Sequence, residues 1–334
     1  MQGMRAALLL VCVQCMLLAS ATRATDAALP VAPAPPSPAP TGAAAAGPAG
    51  PIVPDPDALL FAAPTTVDRI GRVVAAVMVN GKGPFRFIVD TGANYSTIAP
   101  QLVSALGLKT SAAQSMPIDG VTGSSSVPWV KIAALRVGDL VIQDKQVPVV
   151  WAPMMAGADG ILGVAGLRNE KLLVDFAHNR VVISRSGLAR APYYYTHVYA
   201  TRVHGGIMSL DGRVGGVRVL AIIDTGSERT IGNQALHDAL YAHRKVTPVA
   251  VDVYGATTDI APGEVDASPL IDLGPIRIGR VTLVFGQFHI FDVWHLTKRP
   301  AVIVGMDVLG TLSALGIDFR HAEIYIDTKY SFES

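Results

Sequence analysis

One short pattern occurs twice in this chain and constrains its fold more than any other feature. Phe87-Ile88-Val89-Asp90-Thr91-Gly92-Ala93 and Ala221-Ile222-Ile223-Asp224-Thr225-Gly226-Ser227 each run an apolar strand into a carboxylate, a hydroxyl and a glycine. Other features recur around them in the same order. Val73 to Asn80-Gly81 reads as a strand ending in a hairpin turn, and Ile207 to Asp211-Gly212 takes the same place in the second copy. Thr97-Ile98 and Thr230-Ile231 follow the triplets, and each precedes a helical pattern, Pro100 to Leu106 and Asn233 to His243. Pro100 suits a first helical turn, Gly107 a stop and Asn233 an N-cap.

The correspondence continues. A turn-rich hairpin at Ile118 to Gly123 matches one at Val253 to Thr257. Leu135-Arg136-Val137-Gly138 is set against Ile276-Arg277-Ile278-Gly279, and Gly160-Ile161-Leu162-Gly163 against Val302-Ile303-Val304-Gly305. Both copies close on a hairpin, Val174-Asp175-Phe176-Ala177-His178 and Ile317-Asp318-Phe319-Arg320-His321. So much shared order is duplication, and it predicts two like lobes. The expected boundaries are 66–190 and 191–334.

Two carboxylates brought face to face cannot both ionise at about 3 Å, so one keeps a proton while the other acts as base. A water between them becomes a nucleophile, and the protonated member can polarise a carbonyl. No phosphate-cradling loop, zinc spacing or nucleophile elbow appears beyond the leader. His289, Asp292 and His295 read as a solvated edge, because strand alternation would not gather them.

The two Asp-Thr-Gly triplets, with Leu162-Gly163 and Val304-Gly305 following each, resemble the aspartic peptidases of the pepsin and retroviral type. The resemblance spans roughly Val67 to Asp327, as if two retroviral-like units were fused in a single-chain bacterial relative. It implies a mainly β fold: two pseudo-twofold-related lobes of the acid-protease barrel type with a central cleft. It implies Asp90 and Asp224 as the catalytic pair and hydrolysis of peptide bonds without cofactor or metal. Thr91 and Thr225 would interlock across the lobes, and Gly92 and Gly226 would let the backbone approach the carboxylates. The hairpins carrying Gly120 and Gly123, and Tyr254 and Gly255, would be substrate-covering flaps. The sequence departs from the family in three ways. Ser227 follows the second triplet where Ala93 follows the first; its hydroxyl is expected to bond Asp224, leaving Asp90 with the proton. Gly163-Val164-Ala165 lacks the acidic residue of Gly305-Met306-Asp307. The first copy has no flap tyrosine.

Outside the repeat, Ala6 to Leu18 is an apolar run followed by Ala19-Ser20-Ala21, which reads as an export signal over residues 1–24. An uncleaved anchor is the alternative. Residues 25–65, rich in Ala, Pro and Gly, read as a disordered linker, or as a propeptide. Cys12 and Cys15 are the only cysteines, so signal removal leaves neither thiol nor disulfide. The net charge of +1 points to no nucleic-acid partner. A peptide or protein substrate, a monomer, no stable membrane insertion after signal removal and a periplasmic or secreted location are expected. An exported peptide-binding module or a structural envelope protein on an inactive fold is the competing reading.

Overall fold

The computed structural model describes residues 71–110, 115–150, 155–187, 195–242, 249–267, 270–279 and 281–328, and the backbone of short strands at 8–9, 14–16, 59–64 and 66–67. Apart from those strands, the export signal and the linker lie outside the described residues.

The fold is mainly β, in two lobes built alike. In the first, the hairpin Val73–Val79/Lys82–Val89 carries Asp90 at its end. Gly160–Leu162 lies parallel to the Asp-bearing strand, with Leu162 beside Val89. In the second, the hairpin Ile207–Val214/Val217–Ile223 carries Asp224, and Ala301–Val304 runs parallel to it, with Val304 beside Ile223. Where the strands approach the aspartates they are apolar because they are covered on both faces: Phe87, Ile88 and Val89 are fully buried, as are Val302, Ile303 and Val304.

Helix α1, Pro100–Leu106, starts on its proline and ends at Gly107, which takes a left-handed φ of 66°. Helix α2, Gln234–Tyr241, is capped by Asn233, whose side-chain oxygen accepts from the Leu236 N–H at 3.0 Å.

The closing hairpins of the two copies join in one sheet. Glu170–Asp175 pairs antiparallel with Leu312–Asp318, with Leu173 opposite Gly316, so the lobes share backbone hydrogen bonds as well as side-chain packing. Arg180–Arg185 and Glu323–Thr328 flank that central pair. Asp318 is buried at this seam. Burial pushes its carboxyl up, but the His321 N–H and the Ser186 hydroxyl outweigh that and hold it below its ordinary range.

Three expectations are corrected. The second hairpin turns at Gly215-Gly216, not at Asp211-Gly212, which lies inside the strand Ile207–Val214. Gly215 and Gly216 take positive φ, 56° and 85°, as a tight two-residue turn requires. Second, Leu135 to Gly138 corresponds to Ile271 to Gly274, not to Ile276 to Gly279. Leu135–Arg136 and Ile271–Asp272 pair with the equivalent hairpins, and Gly138 and Gly274 share left-handed turn geometry. Third, the linker expected through residue 65 gives way earlier, since Leu59–Pro64 pairs with Arg180–Arg185. Leu59-Leu60-Phe61 breaks the Ala/Pro/Gly composition, and the open sheet edge supplies the hydrogen bonds.

Asp318→Ala should lower stability at pH 7 by about 2 kcal/mol, the scale of losing hydrogen bonds to a charged group. Because the folded carboxyl is held low, wild-type protein should lose that advantage as pH falls through the carboxylate range. Urea unfolding at pH 7 and pH 3 measures both.

Candidate active site: two carboxylates at the lobe interface

The parallel strand pairs set the triplets in place. The Asp90 N–H donates to the Leu162 carbonyl and the Asp224 N–H to the Val304 carbonyl, both at 3.1 Å. The glycine ending each apolar strand lies under the loop that follows the other triplet residues of its own lobe. A Cβ on Gly163 would lie 2.5 Å from the Tyr95 backbone, and one on Gly305 would lie 2.6 Å from that of Arg229.

The threonines then bind the lobes together. Thr91 Oγ1 donates to the Ile223 carbonyl at 2.7 Å, and Thr225 Oγ1 donates to the Val89 carbonyl at 2.6 Å. Each hydroxyl also accepts the other threonine's N–H, at 3.0 and 3.2 Å. All four bonds are buried, where each is electrostatically stronger than in water.

This exchange brings the carboxylates together. A Cβ on Gly92 would lie 2.4 Å from Asp224 Cγ, and one on Gly226 would lie 2.2 Å from Asp90 Cγ. The glycine of each triplet is thus the floor under the other lobe's carboxylate. Asp90 Oδ1 accepts the Gly92 N–H at 2.9 Å, and Asp224 Oδ1 accepts the Gly226 N–H at 2.8 Å and the Ser227 N–H at 3.2 Å. The two Oδ2 atoms are buried and receive no such donor.

Burial pushes Asp90 up to about 7, against the bonds from Asp224 and the Gly92 N–H and the field of Arg72. Burial, and next the charge of Asp90, push Asp224 well above the usual carboxylate range. The pair therefore keeps a proton at neutral pH, and the arrangement can hold an acid and a base side by side.

A family model described as aspartyl protease matches residues 75–166 and 210–308, one match in each lobe. The chain belongs to the aspartyl protease family. No curated protein matches it. Both family matches include an Asp-Thr-Gly triplet and its apolar-Gly strand, so this aspartyl protease carries the motif pair in both halves of a single chain.

The expected Ser227 hydroxyl bond to Asp224 is not made. Its Oγ donates to the Arg229 carbonyl at 2.7 Å, closing a local turn, and only its backbone N–H reaches Asp224. The ground for placing the proton on Asp90 is therefore not met: burial raises both carboxyls, Arg72 opposes the rise at Asp90 and the charge of Asp90 adds to it at Asp224, and the proton belongs to the pair. Arg72, immediately before the strand Val73–Val79, is fully buried, and no motif marks it in the sequence.

The lobes hold their loops differently where the third motif diverges. Asp307 accepts from the Thr230 hydroxyl at 2.6 Å and from its N–H at 3.1 Å, and Thr230 Oγ1 accepts the Gly305 N–H. The first lobe has Ala165 there. Ser96 Oγ accepts the Gly163 N–H at 3.2 Å instead, and the Thr97 hydroxyl is buried without a hydrogen bond.

The two hairpins expected to be flaps meet across the lobes. Gly120 and Gly123 close the first hairpin by a Gly120 N–H to Gly123 carbonyl bond of 2.8 Å. Tyr254 and Gly255 end the strand Val249–Tyr254 of the second, and a Cβ on Gly255 would lie 2.5 Å from Thr122 Oγ1. The tips meet where Thr122 Oγ1 and Thr257 Oγ1 are 3.0 Å apart.

A carboxyl raised in the folded state stabilises the fold below its unfolded pKa and loses that contribution as pH rises through its folded pKa. Wild-type stability should therefore fall between about pH 4 and pH 7 on account of Asp90. Asp90→Asn and Asp224→Asn should remove this loss and unfold at a higher temperature than wild type at pH 7.5. Thermal melts across pH 4–8 check it; equal pH dependence in wild type and variants would contradict it.

Proposed function

We propose that this aspartyl protease hydrolyses peptide bonds in extended peptides held beneath its two flaps, by a water activated between Asp90 and Asp224. The observation that carries this reading is the buried pair itself, with one proton to share and both Oδ2 atoms lacking a backbone donor.

In this scheme Asp90 takes a proton from the water as its oxygen attacks the peptide carbonyl carbon. Asp224 gives its proton to the carbonyl oxygen, which yields a tetrahedral diol. The proton now on Asp90 passes to the peptide nitrogen. The carbon–nitrogen bond breaks, a diol hydroxyl returns its proton to Asp224, and the pair ends as it began. The triplet backbone holds the Oδ1 atoms, so the reacting oxygens need no reorganisation. The outer edges of Ser115–Asp119 and Val249–Tyr254 are taken by the chain's own Leu8–Leu9 and Gln14–Met16, and in this scheme an extended peptide would pair there in their place. We also place the mature protein outside the cytoplasm, on the strength of its leader.

Catalysis in this scheme requires one proton on the pair. As pH falls below about 7, Asp90 takes a second proton and the rate drops, so the acid limb of the pH–rate profile should lie nearer neutral than pH 4. A peptide-library digest read by mass spectrometry from pH 3 to 9 tests both statements. Wild type should cut, and Asp90→Asn and Asp224→Asn should be slower by about a thousandfold or more, the scale of removing a member of a catalytic unit. Cleavage that survives either substitution, or none at any pH, would overturn the proposal.

Gly92→Ala places a methyl within the Asp224 carboxylate and should abolish turnover while the protein still folds. Retained activity in that variant would show that the carboxylates need not meet.

A further inference from the structure

The repeat makes the two flaps equivalents, yet they are held down by different chemistry. At the tip of the first, Val121 is fully buried in the cluster that includes Phe288 and Ile290 of the second lobe. Behind it, the two strands of the flap present Asp119 and Ser124 to His289, the first residue of helix α3, His289–Val293. His289 Nε2 lies 2.8 Å from Ser124 Oγ and 3.4 Å from Asp119 Oδ1. The Ser124 hydroxyl donates to that same Oδ1. Asp119 is buried, and its strand packs against α3. Thr122 and His289 also line one recess of about 530 Å³ with Gln287 and Asp292.

The second flap has Ala256 where the first has Val121, and Tyr254 where the first has Asp119. Ala256 and Tyr254 pack on an apolar cluster of the first lobe that includes Ile118, Val150 and Met155. Among the described residues, its hydrogen bond to the first lobe is the Thr122–Thr257 contact that both flaps share. Val249 and Ile260 on its strands are 57% and 54% exposed. Each flap also pairs with a short N-terminal strand, the first with Leu8–Leu9 and the second with Gln14–Met16, so that hold is common to both and the His289 contacts are what differ.

Ser124, His289 and Asp119 are the residue types of a hydrolytic triad but lack its geometry. A triad needs the carboxylate on the imidazole nitrogen remote from the serine. Here Nε2 faces both groups, so the cluster is a bracket and Ser124 is no nucleophile.

We propose that His289 is a positioning residue that pins the first flap to the second lobe, so that the second flap is the one that lifts to admit and release peptide. Lifting the first flap strips coupled hydrogen bonds from a part-buried carboxylate and exposes a valine. Lifting the second exposes an alanine and the face of a tyrosine. Opening follows the element with the weaker local hold. The kinetic consequence rests on the peptidase reading; the flap asymmetry does not.

Hydrogen exchange of the full chain, followed by mass spectrometry, tests the asymmetry directly. Amides at 116–124 should exchange about tenfold or more slowly than those at 250–258. His289→Ala should bring the first flap up to the rate of the second and leave 301–304 protected as a control for folding. His289→Gln, whose carboxamide can still donate to Ser124, should keep most of the protection. Ala256→Val should slow the second flap and, with a cleavable peptide, lower kcat/KM several-fold. His289→Ala should raise KM with little change in kcat. A first flap that exchanges as fast as the second in wild type, or is unmoved by His289→Ala, would overturn the proposal. If no peptide is cut by any form, the peptidase reading fails and exchange alone still decides the flap proposal.

Discussion

The structure depends on the reciprocal exchange between Thr91 and Thr225. Each hydroxyl accepts the opposite threonine's N–H and donates to a carbonyl just before the opposite aspartate. Neither threonine can be satisfied within its own lobe, so the buried polar groups force the lobes into one register. That register places Gly92 against Asp224 and Gly226 against Asp90. Two acids that would otherwise sit in separate loops then share one buried site. The cost of burying them appears as their raised proton affinity, and the same affinity makes acid–base work possible near neutral pH. The shared sheet around Leu173 and Gly316 holds the lobes at a second place.

Much of this was legible in the sequence because duplication gives an internal control. Two apolar strands ending in Asp-Thr-Gly, each with its apolar-Gly partner downstream, fix which strands run side by side and which carboxylates face each other. The caps of α1 and α2 were readable because Pro100, Gly107 and Asn233 each have a local physical role. Alignment slipped where glycine spacing offered two choices. Asp211-Gly212 looks like a turn, but Gly215-Gly216 supplies two positive φ angles where the strand needs to reverse. A residue pair cannot reveal from composition alone which glycine stays extended.

Side-chain direction was the other limit. Ser227 has the right type and position to bond Asp224, yet its hydroxyl finds a closer carbonyl at Arg229. The proton assignment built on it lost its ground for that reason. Arg72, His289 and Ser124 lie at sequence positions with no motif around them. Their roles come from contacts across about 165 residues of chain in the case of Ser124 and His289. The repeat itself hides these contacts, because Asp119 and Tyr254 occupy equivalent places with unlike chemistry. Asymmetry between the copies therefore carries information that the shared pattern cannot.

The most direct measurement is a carbon-13 NMR titration of the aspartate carboxyl carbons in the intact protein, with Asp90→Asn and Asp224→Asn to assign the two resonances. The account predicts that the pair still holds one proton at pH 7, with Asp90 titrating near that value and Asp224 raised well above the ordinary carboxylate range. Two carboxyls titrating independently in the ordinary range near pH 4 would contradict it.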